Sequence, residues 1–306
     1  MNIADYTLPE LRRAMAHNGV HLQTGIFSAC VRSTIPLVAE GIHQLYADAP
    51  VLPAEQFADF HVTLSRPANI RRWFKPQVVF RFDGFSPFKP LPVDQAFALF
   101  EWGLNWCISS HAHQYLMIHA AAIEKHGRVA ILPAPPGSGK STLTAGLIQR
   151  GWRLLSDELT LIGADGRIQG IARPVSLKNQ SIDVIRQFAP DTTLGRVVKD
   201  TIKGTVAHLR APTDSVTRVL ESALPGWIIF PKYQANTPAT LHPMQRSDAF
   251  MGLAQNAFNY SLLAADGFQR LCALMDASTA YRFEYSNLDE AAQIFDALAE
   301  RRNADS

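Results

Sequence analysis

Eight residues, Ala134-Pro135-Pro136-Gly137-Ser138-Gly139-Lys140-Ser141, constrain this chain more than any others. They fit the phosphate-binding pattern G-x-x-x-x-G-K-[ST], with Ala134 in place of the first glycine. Pro135 and Pro136 have no N–H to give, but each residue from Gly137 to Ser141 carries one. Gly137 and Gly139 let that backbone curl into an anion-binding nest at a helix N-terminus. Pro136, Gly137, Ser138, Gly139, Lys140, Ser141 and Thr142 are therefore the expected nucleotide cradle. Lys140 is expected at the β- and γ-phosphates, and the Ser141 hydroxyl at a Mg²⁺ ion. The flanks agree: Val129 to Leu132 reads as a strand, Thr142 to Arg150 as a helix, and Gly151 as its C-cap. A Gly/Pro turn that happened to precede Lys-Ser would need neither flank.

The next apolar run, Trp152 to Ser156, ends in two adjacent carboxylates, Asp157 and Glu158. Strand–helix–strand winding brings the ends of both strands to one edge of the sheet, so the pair is expected to face the phosphate loop. One carboxylate can hold Mg²⁺, with Ser141 and Asp157 as the metal candidates, and the other can orient or deprotonate a hydroxyl. The alternative for Glu158 is a strand end that faces solvent. Asp157 follows Lys140 by only 17 positions. That compact spacing suggests a phosphotransferase rather than a motor or transport ATPase.

A length of 306 residues exceeds one ordinary domain, so two parts are expected, 1–114 and 115–306. The first part carries strand-like runs at Phe60–Leu64 and Val78–Phe82, then a helix from Val93 to Cys107 with Asp94 as a cap. Leu116 to Ile123 reads as one strand, Lys125-His126-Gly127 as a turn and Arg128 to Leu132 as the returning strand. Near the C-terminus Tyr281, Phe283 and Tyr285 alternate as in a strand. Asn287 and Glu290 then offer a capping box for a helix through Leu298. The fold class is α/β, mixed α+β overall.

The 29 basic and 27 acidic residues leave a formal charge of +2, which disfavours a nucleic-acid binder. No apolar run approaches the roughly 20 residues of a membrane span. Met1 to Arg13 contains acidic residues and no apolar core, so no secretory signal is expected there. Three scattered cysteines without a CxxC pair fit a reducing, cytoplasmic setting.

Weaker candidates surround the loop. His119 lies in an apolar strand, where histidine is often a satisfied core residue, and gains interest from its place beside the loop. His111 and His113 have period-two spacing but no third ligand for a metal. Arg196, Lys199, Lys203, His208 and Arg210 form a basic stretch that reads either as a loop closing over phosphates or as a solvated hairpin. Within it Arg210 is the better phosphate contact. Arg66, Arg71, Arg72, Trp73, Phe74 and Lys75 mix charge with aromatics and read as a surface loop more than as a docking patch.

Taken together, His119-Ala-Ala-Ala-Ile-Glu-x-His-Gly, the phosphate loop and Gln149-Arg150-Gly151-Trp152-Arg153-Leu154-Leu155-Ser156-Asp157-Glu158 resemble the kinase domain of HPr kinase/phosphorylase. The chain is most similar to the HPr-kinase-related kinase A group. The likeness is specific over about residues 115–185 and looser beyond, at Lys203 to Pro212 and Asn256 to Tyr260. Residues 1–114 do not look like the N-terminal domain of true HPr kinases. The resemblance implies a P-loop kinase core of the kind shared with phosphoenolpyruvate carboxykinase, using ATP and Mg²⁺ on a serine hydroxyl of a protein or peptide acceptor. It also leaves a homo-oligomer open. By position, Lys140 and Ser141 take the phosphate and metal roles, His119 matches the family's active-site histidine, and Asp157 and Glu158 match its adjacent aspartates. The second of those, the usual base, is here a glutamate. The family's metal-linked glutamate has no counterpart in Pro174-Val175-Ser176-Leu177-Lys178-Asn179. Metal binding then rests on Ser141 and Asp157, or Lys178 supplies positive charge instead. Three readings follow: a kinase for a protein hydroxyl, a small-molecule kinase of shikimate or nucleotide-kinase type, and a nucleotide-dependent scaffold without transfer.

Overall fold

Period-two burial builds the first sheet. Along Phe60–Ser65 the side chains of Phe60, Val62 and Leu64 are buried and that of His61 is exposed, so one face needs a cover. In the computed structural model, which describes residues 1–68, 74–135 and 137–304, that face belongs to a six-stranded sheet. Its strands are β1 (Val20–Thr24), β2 (Phe27–Ser33), β3 (Val51–Leu52), β4 (Phe60–Ser65), β5 (Gln77–Phe82) and β6 (Leu91–Pro92), in the order β3-β1-β2-β4-β5-β6. Helices α1 (Leu8–Ala16), α2 (Pro36–Leu45) and α3 (Ala96–His111) supply its cover, burying Leu11, Met15, Ile42, Phe100 and Leu104 against Leu22, Val31 and Phe80. Helix α3 begins later and ends later than Val93 to Cys107. The N–H of Val93 is still bonded to the Pro76 carbonyl at 3.0 Å, so residues 93–95 form a 3₁₀ turn and Asp94 caps nothing.

The run 116–123 is two strands, not one. β7 (Leu116–Ile118) and β8 (Ala120–Lys125) part at His119, whose N–H donates to the Asn256 carbonyl at 2.7 Å. β8 turns through His126 and Gly127, both at positive φ, into β9 (Arg128–Pro133). The phosphate loop and α4 (Lys140–Ile148) follow, with Gly151 at φ 88° in the C-cap turn, and then β10 (Arg153–Ser156). β7 pairs instead with β11 (Thr160–Ile162), which pairs with β12 (Ile168–Gln169). A further three-stranded sheet joins β13 (Val175–Lys178), β14 (Val198–Thr201) and β15 (Gly204–Leu209), with α5 (Gln180–Phe188) after β13 and α6 (Thr213–Thr217) after β15. The main sheet is completed by β16 (Leu224–Tyr233), β17 (Thr240–Pro243) and β18 (Thr279–Tyr285), giving the order β10-β8-β9-β16-β18-β17. α7 (Arg246–Gln255), α8 (Tyr260–Asp276) and α9 (Leu288–Ala304) are the remaining helices.

Alternation then sorts the main sheet into three layers. Ala121, Ile123, Ala130, Leu132, Trp227 and Ile229 face α4 and α9, meeting Leu143, Leu147 and Phe295. Their neighbours Ala120, Ala122, Val129, Ile131 and Ile228 face α7 and α8, meeting Leu253, Leu271 and Leu274. β8 is antiparallel to both β9 and β10, so β9 and β10 run parallel with β8 inserted between them. Their C-terminal ends still share one edge, as the winding argument requires.

Among the described residues no strand ladder crosses from 1–114 to 115–306, yet the cores merge. Met117, Leu159, Leu161 and Ile171 belong to the same cluster as Leu22, Phe80 and Phe100. The β1–β2 turn sits on the second part so closely that a Cβ on Gly25, at φ 69°, would lie 2.0 Å from the Gly170 carbonyl oxygen. At the other end, Asn287 caps α9 by accepting from the N–H groups of Asp289 and Glu290 at 2.8 and 3.1 Å. The Glu290 carboxylate accepts from the Ala239 N–H at 3.2 Å, joining β17's approach to α9 instead of closing the expected box. α9 itself runs to Ala304, past the expected end at Leu298.

Candidate functional site

The loop adopts the shape its glycines permit. Gly137 and Gly139 have φ of 86° and 88°, while Ala134 keeps a negative φ, so a glycine is not required at the first position of the pattern. The turn is pinned from β16 and β18: the Tyr233 N–H donates to the Ser138 carbonyl at 2.8 Å, and the Tyr285 hydroxyl donates to the Gly139 carbonyl at 2.9 Å. A Cβ on Gly139 would stand 2.5 Å from that hydroxyl. Ser141 and Thr142 lie half-buried in the first turn of α4, whose leading N–H groups have no intrahelical acceptor. Pro136 lies outside the described residues.

The Ser141 hydroxyl donates to Asp157 Oδ2 at 3.2 Å, which puts the end of β10 beside the loop. The same Oδ2 accepts from the Ser176 N–H at 3.3 Å. Asp157 Oδ1, the Lys140 ammonium, and the hydroxyls of Ser138 and Ser176 are buried and have no hydrogen-bond partner among the described residues. Buried polar groups normally find partners, so orphans collected around one loop single it out as the candidate site. Burial raises the Asp157 carboxyl and lowers the Lys140 ammonium, while each opposes the shift in the other.

Glu158 does not face open solvent. It is half-buried, and its Oε2 accepts from Asn105 Nδ2 at 2.8 Å. Burial alone would raise its carboxyl, but Lys203, Lys140 and Lys178 outweigh burial and hold it below the ordinary carboxylate range. Lys178, in the segment where the resemblance implies a glutamate, is one of these cations. His119 stands in the gap between β7 and β8, with the Phe258 ring 5.7 Å away. Burial first, then Lys140, lowers its imidazole to about 4, so it is neutral at pH 7. Lys203 tops the β14–β15 hairpin with its ammonium 5.0 Å above the Trp102 ring. The basic stretch is therefore an ordered hairpin docked on α3.

Several expected residues are placed elsewhere. Arg210 was expected at the phosphates; instead Arg210 Nη2 pairs with Asp48 Oδ2 at 2.7 Å, beside Thr213, because α2's C-terminal turn offers it a carboxylate. His208 is buried against Phe97 at 5.3 Å, and burial lowers it to about 4. Arg196 and Lys199 are exposed. His111 Nδ1 meets the Cys107 carbonyl at 2.9 Å and its ring packs on Phe82, and among the described residues no group of three metal-ligating side chains forms. Phe74 and Lys75 are exposed; Arg71, Arg72 and Trp73 lie outside the described residues.

Two residues escaped the sequence reading. Arg173 is buried with Nη1 unpartnered, and Asn105 bridges it to Glu158. The signal for Arg173 was its place just before Pro174 in the segment already marked; Asn105 gave none. Together with Glu101 and Trp102 they wall a cleft floored by Asp157, Glu158 and Ser176. Chemically, the site offers three lysines and an arginine to an anion and two adjacent carboxylates to a metal or a proton. No family model matches the chain, and no curated protein matches it.

Proposed function

We propose that the protein is an ATP-dependent kinase that transfers the γ-phosphate to a hydroxyl of a protein or peptide, with the P-loop kinase core that the HPr kinase likeness implies. The observation that carries the reading is the buried, unpartnered Lys140 ammonium beside a Ser141–Asp157 pair and a second, ionised carboxylate on Glu158. The amides of Gly137 to Ser141 and the Lys140 ammonium bind and orient the phosphates. Lys178 and Lys203 add charge at the mouth. The Ser141 hydroxyl and the Asp157 carboxylate fit Mg²⁺, a hard cation that takes one or two protein oxygens and fills its shell with phosphate and water. When bound, it would spread the charge of the phosphates. In the transfer the acceptor oxygen bonds to the γ-phosphorus, the bond to the bridging oxygen of ADP breaks, and the acceptor proton passes to Glu158. His119, neutral, orients the acceptor hydroxyl or the carboxylate.

The purified protein is incubated with Mg-ATP and candidate serine peptides, and added phosphate is read by mass spectrometry. Lys140→Ala should abolish nucleotide binding. Glu158→Gln should keep binding and lose about 100-fold or more of transfer. Phosphate appearing on a metabolite alone would move the reading to a small-molecule kinase. Nucleotide binding without transfer to either would leave a scaffold, the reading that the lack of a carboxylate in 174–179 favours.

A further inference from the structure

We infer that Asn105, on helix α3, is the positioning residue for Glu158, so that residues before 115 form a working wall of the site. The chemical consequence rests on the kinase reading; the geometry does not. The Asn105 amide donates to Glu158 Oε2 at 2.8 Å and accepts from Arg173 Nη2 through Oδ1. A carboxylate accepts and a guanidinium donates, so these two partners fix which way the amide points. A flipped amide would meet like with like on both sides. The three groups lie 53 and 68 positions apart along the chain and converge because α3 lays one face against the cleft.

That face is separate from the packing face. Glu101, Trp102 and Asn105, at i, i+1 and i+4, line the cleft, whereas Phe100, Leu104, Cys107 and Ile108 enter the first core. Each cleft residue has a site-directed or anchoring contact. Trp102 lies under the Lys203 ammonium, and Glu101 accepts from the Tyr46 hydroxyl at 2.6 Å, which ties the face back to α2's C-terminus. Glu158 is pulled by three ammonium groups at once, and a carboxylate in such a field turns toward whichever is nearest. The neutral Asn105 donor gives it one orientation while leaving Oε1 for a proton. Arg173, held by the same amide, lines the same cleft.

The test uses the full chain. With ¹³C-labelled glutamate, the Glu158 carboxyl signal is identified by its loss in Glu158→Gln and read at a single neutral pH. Asn105→Leu should move and broaden that signal, because the hydrogen bond that holds the carboxylate in one orientation is gone. Phosphate transfer, or ATP hydrolysis where water is the acceptor, should fall about tenfold or more in Asn105→Leu. In the Glu158→Gln background the same change should cost nothing further. Nucleotide affinity should hold within about threefold. Asn105→Ala repeats the set should the leucine variant not fold. A Glu158 carboxyl signal unmoved in both variants, or an equal loss of turnover with and without Glu158, overturns the assignment. A wild-type protein that binds no nucleotide overturns the kinase reading instead and leaves the carboxyl signal to decide Asn105.

Discussion

His119 and His208 are both held near pH 4 by burial, far below an ordinary imidazole, and that fixes what a pH profile can show. Above about pH 5 neither carries a proton, and Glu158, held below the usual carboxylate range, is already ionised. The kcat/KM profile of phosphate transfer, which reports free-enzyme groups, should therefore show no histidine inflection near 6.5. An inflection there that disappears in His119→Gln would sink this assignment. The stability sign runs the other way from a salt-bridged histidine. As pH falls from 6.5 toward 4, the unfolded chain takes up protons that the folded histidines refuse, so stability present above 6.5 is lost across that window. Gly139 is the second residue-scale constraint. Gly139→Ala must accept φ near 88° and displace the Tyr285 hydroxyl, so nucleotide affinity should drop steeply. Gly137→Ala, whose Cβ meets nothing within 4 Å, should cost only about 1 kcal/mol of backbone strain.

The β8–β9–β10 unit holds the loop from one end of the sheet and is locked at the other. Arg153 at the start of β10 pairs with Glu124 on β8, both almost wholly buried, and Arg153 Nη1 also donates to the carbonyls of Arg218 and Glu221 at 2.8 and 3.0 Å. Glu124 in turn accepts from the Gly127 N–H at 2.6 Å in the hairpin turn. Removing one partner of such a pair strands a buried charge, at a cost of about 3–5 kcal/mol. Glu124→Leu should lower unfolding free energy in urea by about that much. Nucleotide affinity of the folded fraction should be unchanged, because the pair sits at the edge opposite the loop. A loss of affinity without loss of stability would mean that the lock acts on the site directly. This element was legible in the sequence where residues are local: the strand, the glycines, the helix and its Gly151 stop follow one another with no long-range term. The break at His119 was not, because Leu116 to Ile123 is apolar on both sides of that histidine and the sheet switch is imposed by the Asn256 carbonyl and by β11, both far away in sequence.

At the scale of the molecule, the two parts share an interior without sharing a ladder. A chain beginning at Tyr115 would expose Met117, Leu159, Leu161 and Ile171, and would lose Asp48 from Arg210, Trp102 from Lys203 and Asn105 from Glu158. We expect it to lack cooperative urea unfolding and to bind hydrophobic dye; a monomeric fragment with a sharp transition would show that the second core suffices alone. A division near residue 114 is what length and motif placement lead one to expect; that residues on both sides of it share one core is not legible there. Sequence by itself determined the glycine loop before α4 and the adjacent carboxylates, because a nest of amides, a lysine and a strand end are set by neighbours within about 25 positions. It also determined the mixed α/β character, through periods of two and of three to four. Tertiary structure alone decided that Arg210 is spent on Asp48, that Lys178 and Lys203 converge on Glu158, and that Asn105 reaches that carboxylate. The first and last of these depend on which charge or amide meets which across the two parts, the second on elements of the second part folding back on one another, and such pairing leaves no periodic trace in a single chain.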